Sequence, residues 1–523
     1  MKLHTILHKT RDAVLPTILV TLIFFVTLYG FGLINTMIAP FATLSYLQYK
    51  TTKNHYGSII KTFSVYAFMA VLSYFALLSL PLMILMNLIG FFLIGYILID
   101  EYNPTNYFPA GMSLIFFQIA PVSDLPGLGI RLLALFVTFI IVFLFIVITH
   151  LILKERNPIC AYIREGFSYS RQLLDIYDSF PEEDASDKIK YLHQKIQYVN
   201  QQLSHEIYAY NRSALLKKGK INWYCRFVVL FDVICFFTTL PLNPGYLKKA
   251  SSLLSDFEHL FQKKDPGYDY RPLKFRDQQL DIRNLRLRFG LRLIIVMIPC
   301  LIYSYLSKGN NPYWLVISVF FMMIPYTQHT RQRVIQRIGG TMVGIAGCFI
   351  LFSLFPDFTS RVIIMTIANF FIYYSTSYGT MVAFITCSAL AVQTMDTTVS
   401  TVLLERLRYT LLGAGIALSA NKFIFPVRWN KQILYLLELL KDMRKKLIFL
   451  SKERKHITRS EEECLNHQKD ELLIKSVLLQ EQIANLAERQ PDSINLDYLQ
   501  LQKKAHMLFF ASYLAKYLKA DDC

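Results

Sequence analysis

Two long apolar blocks, residues 14–153 and 288–425, constrain the fold of this chain more than any other feature. Each block is several times longer than the ~20 apolar residues with which one helix crosses a bilayer. Hydrophobic residues make up 54% of the 523 residues and charged residues only 18%, which is typical of a membrane protein. Because helices satisfy their own backbone hydrogen bonds in lipid, the sequence predicts an all-α polytopic membrane protein embedded in the lipid bilayer.

Polar, proline and glycine breaks divide each apolar block into about six predicted spans. The spans of the first block cover 14–34, 35–49, 59–80, 82–99, 108–122 and 131–153. The spans of the second block cover 288–306, 312–327, 337–355, 360–377, 379–394 and 405–425. The predicted domains are a first transmembrane block (1–154), a cytoplasmic helical domain (155–285), a second transmembrane block (286–426) and a C-terminal cytoplasmic helical domain (427–523).

The polar stretches that follow each block carry helical patterns. Apolar residues step by three and four through 189–203 and 433–450, so each stretch should bury one face against another helix. We favour hairpins packed within their own domain over a dimer zipper, because neither repeat persists for several heptads. The sequence leaves open whether the protein forms a homo-oligomer by other contacts. The apolar segment 223–240 contains Arg226 and Asp232, which favours a helix buried in the cytoplasmic domain or lying on the membrane surface over another crossing.

The formal net charge is +18, but its distribution indicates membrane orientation rather than nucleic-acid binding. Lysine and arginine cluster at the ends of the apolar segments, as at Lys50 with Lys53 and at Arg331 with Arg333, and cytoplasmic loops carry such an excess. Both termini and both polar domains are therefore predicted to be cytoplasmic. The eight cysteines are scattered without a CxxC pair, so no disulfide, metal site or cofactor is expected.

The two blocks resemble each other in the order of their polar residues. The corresponding positions are Asn87 and Tyr96 with Asn369 and Tyr378, Asp124 with Asp396, and Arg131 with Arg406 or Arg408. This correspondence predicts an internal repeat. Transporters built from such repeats place their substrate site between the halves, near the middle of the membrane.

The segment from Arg337 to Gly344 is the most informative part of the second block. It reads Arg-Ile-Gly-Gly-Thr-Met-Val-Gly and places Gly340 and Gly344 on one face of a helix. Small residues at this spacing let helix backbones approach closely in a membrane, so Gly340, Thr341, Gly344 and Gly413 are predicted to form a helix-packing motif. Leucine at Gly344 should then destabilise the protein, whereas alanine at Gly340 should be milder.

The second block as a whole resembles a known family. The positions that carry the resemblance are Tyr313-Trp314, Pro325, Arg337-x-x-Gly340-Thr341-x-x-Gly344, Arg408-x4-Gly413-x3-Ala417, Asn421 and Pro426. They resemble the fusaric acid resistance (FUSC) family of bacterial inner-membrane proteins, which includes the aromatic acid exporters. The resemblance is weak in the first block, where Gly57-Ser58 stand for Gly-Thr and Lys61 occupies the place of the second glycine.

The resemblance implies both a layout and a function. The family layout is six spans, a cytoplasmic helical domain, six further spans and a cytoplasmic tail, in the cell inner membrane of a bacterium. Family members with known roles are proposed exporters of aromatic carboxylates driven by the proton motive force, and relatives in plants are anion channels.

Charged residues retained inside the apolar blocks are the candidate functional residues, because each costs on the order of 2.5–3.5 kcal/mol on insertion. The substrate-binding candidates are Arg337, Arg406, Arg408, Arg131 and Tyr378. The proton-coupling candidates are Asp396, Asp124 and Glu405. The planar fork of arginine suits a carboxylate and stays charged while a neighbouring acid titrates. In the alternative interpretation, Asp396 and Arg406 pair to fasten a loop, and Arg331, Arg333 and Arg337 are cytoplasmic anchors.

No P-loop lysine motif, GxSxG, HExxH or Rossmann glycine signature occurs, so no enzyme is expected. The leading hypothesis is a secondary membrane transporter that exports small organic anions, aromatic carboxylic acids among them, driven by the proton motive force. Two alternatives stay open: a passive anion channel gated by the cytoplasmic domains, and a membrane scaffold without transport.

Overall fold

The computed structural model describes residues 2–49, 56–99, 106–153, 158–179, 186–213, 219–239, 244–262, 282–307, 311–393 and 399–452, with a few isolated positions between 468 and 486. Within these ranges the regular structure consists of seventeen α-helices and short 3-10 and π segments, with no strand. The predicted all-α fold class is confirmed.

The helices of the first apolar block are α1 (Lys2–Phe31), α2 (Ile38–Tyr49), α3 (Tyr56–Ala76), α4 (Leu80–Leu93), α5 (Phe108–Ile119) and α6 (Leu125–Leu153). A 3-10 turn at Leu33–Asn35 precedes α2, and a π-helical segment at Ile94–Leu98 extends α4. Local chemistry sets these bounds. At the start of α4, Leu82 N donates to the Ser79 hydroxyl, and a proline lies in the first turn, where its missing N–H is not needed.

Four helices lie between the two blocks: α7 (Pro158–Ser179), α8 (Ser186–Ser213), α9 (Gly219–Thr239) and α10 (Pro244–Gln262). The second block then forms α11 (Leu285–Leu306), α12 (Tyr313–Met322), α13 (Thr327–Leu354), α14 (Phe358–Tyr374), α15 (Tyr378–Gln393) and α16 (Val399–Phe423). The last long helix is α17 (Trp429–Lys452). Asp357 caps α14: the backbone N–H of Ser360 donates to its carboxylate at 3.0 Å, and this bond lowers the pKa of Asp357.

Each of the twelve predicted spans overlaps one of these helices. Six of the described helices are long and apolar enough to cross a membrane, namely α1, α3, α4 with its π-helical extension, α6, α11 and α13. The helices α5, α12 and α15 are apolar but shorter. With 10 residues, α12 extends only ~15 Å, about half of the hydrocarbon thickness. The chain is therefore a multi-pass membrane protein, and twelve complete crossings stay a prediction.

The described helices group into two compact units. Helices α1–α6 and α11–α16 belong to the first unit, and α7–α10 with most of α17 belong to the second. The predicted domain boundaries stay predictions.

Inside the first unit, the helices of the two apolar blocks interlock. Helix α1 packs on α14, α4 on α11, and α5 on α12. Where α11 crosses the π-helical segment, a Cβ atom added to Gly95 would lie 2.4 Å from the Cα atom of Gly290, so the two backbones are in direct contact. The Tyr107 hydroxyl donates to the backbone oxygen of Met323. The blocks are therefore parts of one packed body.

The glycines of the predicted packing motif lie where helices touch. A Cβ atom on Gly340 would be 2.4 Å from the backbone oxygen of Gly379, and one on Gly344 would be 2.6 Å from that of Ala383. This is the contact of α13 with α15. A Cβ atom on Gly413 would be 2.9 Å from the Cβ atom of Ser318, where α16 packs on α12.

The second unit has its own apolar core. Leu192, Ile196 and Leu203, spaced at helical intervals on α8, are buried with Phe227 and Phe231 of α9. Helix α9 packs on α7, α8 and α10, so of the two alternatives that the sequence left open for segment 223–240 the structure shows the buried helix. The hydroxyl of Thr238 on α9 is 3.2 Å from Nε2 of His193 on α8, and burial lowers the pKa of this histidine.

Candidate anion site

Arg337 lies inside the first unit, on the helix that carries the glycine motif. Its side chain is 1% exposed, and its guanidinium carbon is 5.0 Å from the ring centroid of Phe321 on α12. The Nε and Nη2 atoms have no hydrogen-bond partner. These two atoms form one edge of the guanidinium, the edge that binds a carboxylate through two parallel bonds. Arg337 is therefore a buried cation whose binding edge is unused.

Arg406 of α16 is buried in the same way. It is also 1% exposed, and its guanidinium carbon lies 3.8 Å from the ring centroid of Trp314. Close packing at Gly413 brings α16 onto α12, where Trp314 lies. The ring face attracts the cation, but Nε and Nη1 of Arg406 have no hydrogen-bond partner.

The two buried guanidiniums are close enough to influence each other. The charge of Arg337 acts on Arg406, as does the side chain of Tyr378. Glu405 is the neighbour of Arg406 in the sequence, but its Oε2 atom accepts a hydrogen bond of 2.8 Å from Nδ2 of Asn311. Like charges that are buried without partners destabilise one another. An anion bound here would relieve this repulsion.

Arg333 of α13 and Tyr378 of α15 extend the cluster. The guanidinium carbon of Arg333 is 4.0 Å from the ring centroid of Tyr378 and 4.9 Å from that of Phe108. Its Nε atom donates to the backbone oxygen of Phe321 at 2.8 Å. The Tyr378 hydroxyl is buried without a hydrogen-bond partner. We call Trp314, Phe321, Arg337, Tyr378 and Arg406 the arginine pocket.

Arg131, the corresponding residue of the first block, has a different environment. It is 1% exposed, yet it donates to Oδ1 of Asn35 at 3.2 Å and to the backbone oxygens of Phe117 and Ala120 at 3.2 and 2.5 Å. Its guanidinium lies 4.8 Å from the Phe117 ring centroid. These bonds tie α6 to the end of α5 and to the turn before α2.

The other predicted site residues that the structure describes do not join the arginine pocket. Asp124 accepts a hydrogen bond of 2.9 Å from Gly127 N at the start of α6. The side chain of Arg408 is exposed, and Asp396 lies outside the described residues. Thr341 is fully buried next to the motif glycines, and its hydroxyl has no partner. Among the described residues no group of three histidine, cysteine or acidic side chains could hold a metal ion.

The sequence analysis did not identify the aromatic partners of the arginines. Trp314 was part of the family resemblance, and Phe321 follows it by seven residues, the spacing of one helix face over two turns. Arg292 was also missed: it is fully buried and donates to Oδ1 of Asn421 and to the backbone oxygens of Ile424 and Phe425. It joins α11 to the end of α16.

Residues 298–420 match the family described as fusaric acid resistance protein-like. The match begins within α11 and ends within α16, so it contains Trp314, Arg337, Tyr378 and Arg406. The family resemblance stated from the motif residues is confirmed for this segment.

Segments of the chain are also similar to other bacterial proteins. An uncharacterised protein of Haemophilus influenzae is 30% identical over 142 residues, which are 27% of this chain and 20% of that protein. An uncharacterised protein of Neisseria gonorrhoeae is 30% identical over 156 residues, 28% of this chain and 36% of that protein. The inner membrane protein YccS of Escherichia coli is 28% identical over 143 residues, 27% of this chain and 20% of that protein. The chain thus covers well under two thirds of each relative. No solved structure matches it at a significant level.

Proposed function

We propose that this protein exports small organic anions, aromatic carboxylates among them, across a bacterial inner membrane, because residues 298–420 match the family described as fusaric acid resistance protein-like. The observation that carries the proposal is the pair of buried guanidiniums at Arg337 and Arg406, each of which has two nitrogen atoms without a hydrogen-bond partner. A carboxylate supplies both the negative charge and the acceptors that these groups lack. The Escherichia coli relative is named an inner membrane protein, and this name supports the proposed location in the inner membrane.

We further propose that the two apolar blocks are copies of six transmembrane helices each, with cytoplasmic helical domains and both termini in the cytoplasm. Two reciprocal contacts support the duplication, since the first helix of each block packs on the fourth helix of the other: α1 on α14 and α11 on α4. Asn87 on α4 bonds Gln118 on α5, and Asn369 on α14 accepts from Ser388 on α15. The orientation rests on the positive charges of the predicted cytoplasmic ends.

Coupling to the proton motive force needs a group that titrates beside the pathway. Glu405 is the proposed group, because it precedes Arg406 and is held by Asn311 at the start of α12. A proton on Glu405 would remove one negative charge beside Arg406. This change would strengthen the attraction of Arg406 for an anion, so a proton on Glu405 would control anion binding at Arg406.

Everted membrane vesicles test export directly. In vesicles with an acidic lumen, uptake of radiolabelled benzoate should exceed that of vesicles without the protein, and a protonophore should abolish the difference. Arg406→Gln should lose the uptake, while Lys422→Gln, which removes an exposed cation from the same helix, should retain it. Uptake that ignores the collapsed gradient would refute the coupling, and equal uptake by Arg406→Gln would refute the site.

A passive anion channel is the second candidate, favoured by one observation. Arg333, Arg337 and Thr341 follow one another at four-residue intervals along α13, about 6 Å apart along the axis. A channel needs such a path of several weak sites. Planar-bilayer recording distinguishes the two functions, because only a channel gives single-channel current steps whose reversal potential follows the anion gradient.

A further inference from the structure

The buried groups of the arginine pocket that lack partners are nearly all hydrogen-bond donors. They comprise Nε and Nη2 of Arg337, Nε and Nη1 of Arg406, the indole Nε1 of Trp314 and the hydroxyl of Tyr378. Arginine and tryptophan nitrogens donate only, and the tyrosine hydroxyl can also donate. The ligand of this pocket must therefore be rich in acceptor atoms. A single carboxylate has two oxygens, with about four lone-pair sites between them.

The charge of the pocket points to the same kind of ligand. Arg337 and Arg406 contribute two positive charges that act on each other. Glu405 is directed to Asn311, so its carboxylate is not bonded to either guanidinium. Within the part of the chain that the structure describes, no acidic side chain is bonded to either arginine. An anion with two negative charges would balance the charges of the two arginines.

The two cations are held at separate points. Arg406 lies against Trp314 and Arg337 lies against Phe321. Both rings belong to α12 and are seven residues apart, so their backbone positions differ by about 10 Å along the helix axis. Each guanidinium covers one face of its aromatic ring. The pocket thus contains two positive charges at separate positions, and each charge lies against its own aromatic ring.

We infer that the arginine pocket selects a small organic dianion that carries two separated carboxylates. One carboxylate binds the Nε–Nη2 edge of Arg337, and the other binds Arg406. The indole N–H of Trp314 and the hydroxyl of Tyr378 donate to the remaining oxygens. This inference rests on the proposed anion export and narrows its substrate class from carboxylates in general to dicarboxylates.

Isothermal titration calorimetry on the purified full-length protein, at pH 7.5, tests the inference. The probes are isophthalate, its monomethyl ester and benzoate, because the ester matches isophthalate in size but carries one charge. Isophthalate should bind with one molecule per chain and about tenfold or more tighter than either monoanion, since one charged hydrogen-bonded contact is worth at least this factor. Arg337→Gln should reduce the affinity for isophthalate to that of the monoanions.

Two further variants separate the inference from a folding defect. Arg337→Lys keeps the charge but not the two-atom edge, so it should retain a preference for isophthalate that is smaller than in the original protein. Lys422→Gln should leave all three affinities unchanged. Equal affinities for isophthalate and its monomethyl ester, or binding of two benzoates per chain, would refute the selection of a dianion but would not refute anion export. If none of the three acids binds or is transported, the proposed export itself fails.

Discussion

At the scale of single residues, Arg131 and Arg406 show that burial alone does not mark a functional arginine. Both are 1% exposed and both lie in the last helix of an apolar block. Arg131 has acceptors for its NH groups at Asn35, Phe117 and Ala120, whereas Nε and Nη1 of Arg406 have none. The sequence identified both as candidates but could not separate them. Two of the acceptors of Arg131 are backbone oxygens, which leave no trace in residue identity.

This difference predicts opposite effects of the same substitution. Arg131→Gln should destabilise the protein by about 2–3 kcal/mol, because buried acceptors lose a charged donor. Arg406→Gln should not lower the melting temperature, because it removes a buried charge without a partner, yet it should abolish anion binding. Thermal unfolding in detergent, followed by fluorescence, measures the first effect, and calorimetry with isophthalate measures the second. A lower melting temperature for Arg406→Gln than for Arg131→Gln would contradict this assignment.

His193 in the second unit gives a pH prediction at the same scale. Burial lowers its pKa, so folding favours the neutral imidazole. The associated stability is complete above the ordinary histidine pKa of about 6.5 and is lost as the pH falls towards the lower pKa of the folded state. Between pH 7.5 and 5.5 the melting temperature should therefore fall less in His193→Gln than in the original protein. Identical pH profiles would show that His193 does not contribute.

At the scale of helices, the contact of α13 with α15 is the part that the sequence described best. The spacing of Gly340 and Gly344 predicted close approach to another helix, and both face the backbone of α15. The sequence could not name α15 as the partner. The sequence also predicted that alanine at Gly340 is milder than leucine at Gly344, and the structure adds that a Cβ atom at Gly340 would be 2.4 Å from the oxygen of Gly379. Backbone cannot rotate away as a side chain can, so the structure predicts a substantial effect even for alanine.

Gly344→Leu tests this helix contact against a control on the same helix. A Cβ atom on Gly344 would be 2.6 Å from the backbone oxygen of Ala383, whereas one on Gly347 would meet nothing within 4 Å. Gly344→Leu should therefore cost about 1–3 kcal/mol of stability, and Gly347→Leu should be neutral or slightly stabilising because leucine favours the helix. The melting temperatures of the two variants decide. Equal values would show that Gly344 is not a packing residue.

Helix ends were predictable to different degrees, for a physical reason. The predicted spans break at 80–82 and at 355–360, and the caps Ser79 and Asp357 of α4 and α14 lie beside these breaks, because proline and capping residues interrupt an apolar run. The short length of α12 was not recognisable. An apolar run buried among protein helices has the same composition as one that crosses lipid, so hydropathy alone cannot show which of the twelve segments reach from one side to the other.

At the scale of the whole molecule, the fold of the first unit depends on contacts between its two apolar blocks. Helix α1 packs on α14, and α4 packs on α11, so each block covers helices of the other. Gly95 and Gly290 touch where these blocks cross. The sequence does not predict the contact of Gly95 with Gly290, because the residues around one glycine do not identify the other as its partner. The pairing of helices between the blocks is therefore visible in the structure and not in the sequence of either block.

At the crossing of the two blocks, Gly95→Ala and Gly290→Ala should have different effects on stability, although both residues belong to the same contact. A Cβ atom on Gly95 would lie 2.4 Å from the Cα atom of Gly290, whereas a Cβ atom on Gly290 would be no closer than 3.7 Å to any atom of Gly95 or Tyr96. Gly95→Ala must separate the blocks and should cost about 1–3 kcal/mol, with a corresponding loss of isophthalate binding in the arginine pocket. Gly290→Ala fits the existing space and should gain up to about 1 kcal/mol from its higher helix propensity. Melting temperatures and calorimetric affinities of the two variants measure both effects, and a Gly95→Ala protein as stable as Gly290→Ala would show that the blocks do not depend on this crossing.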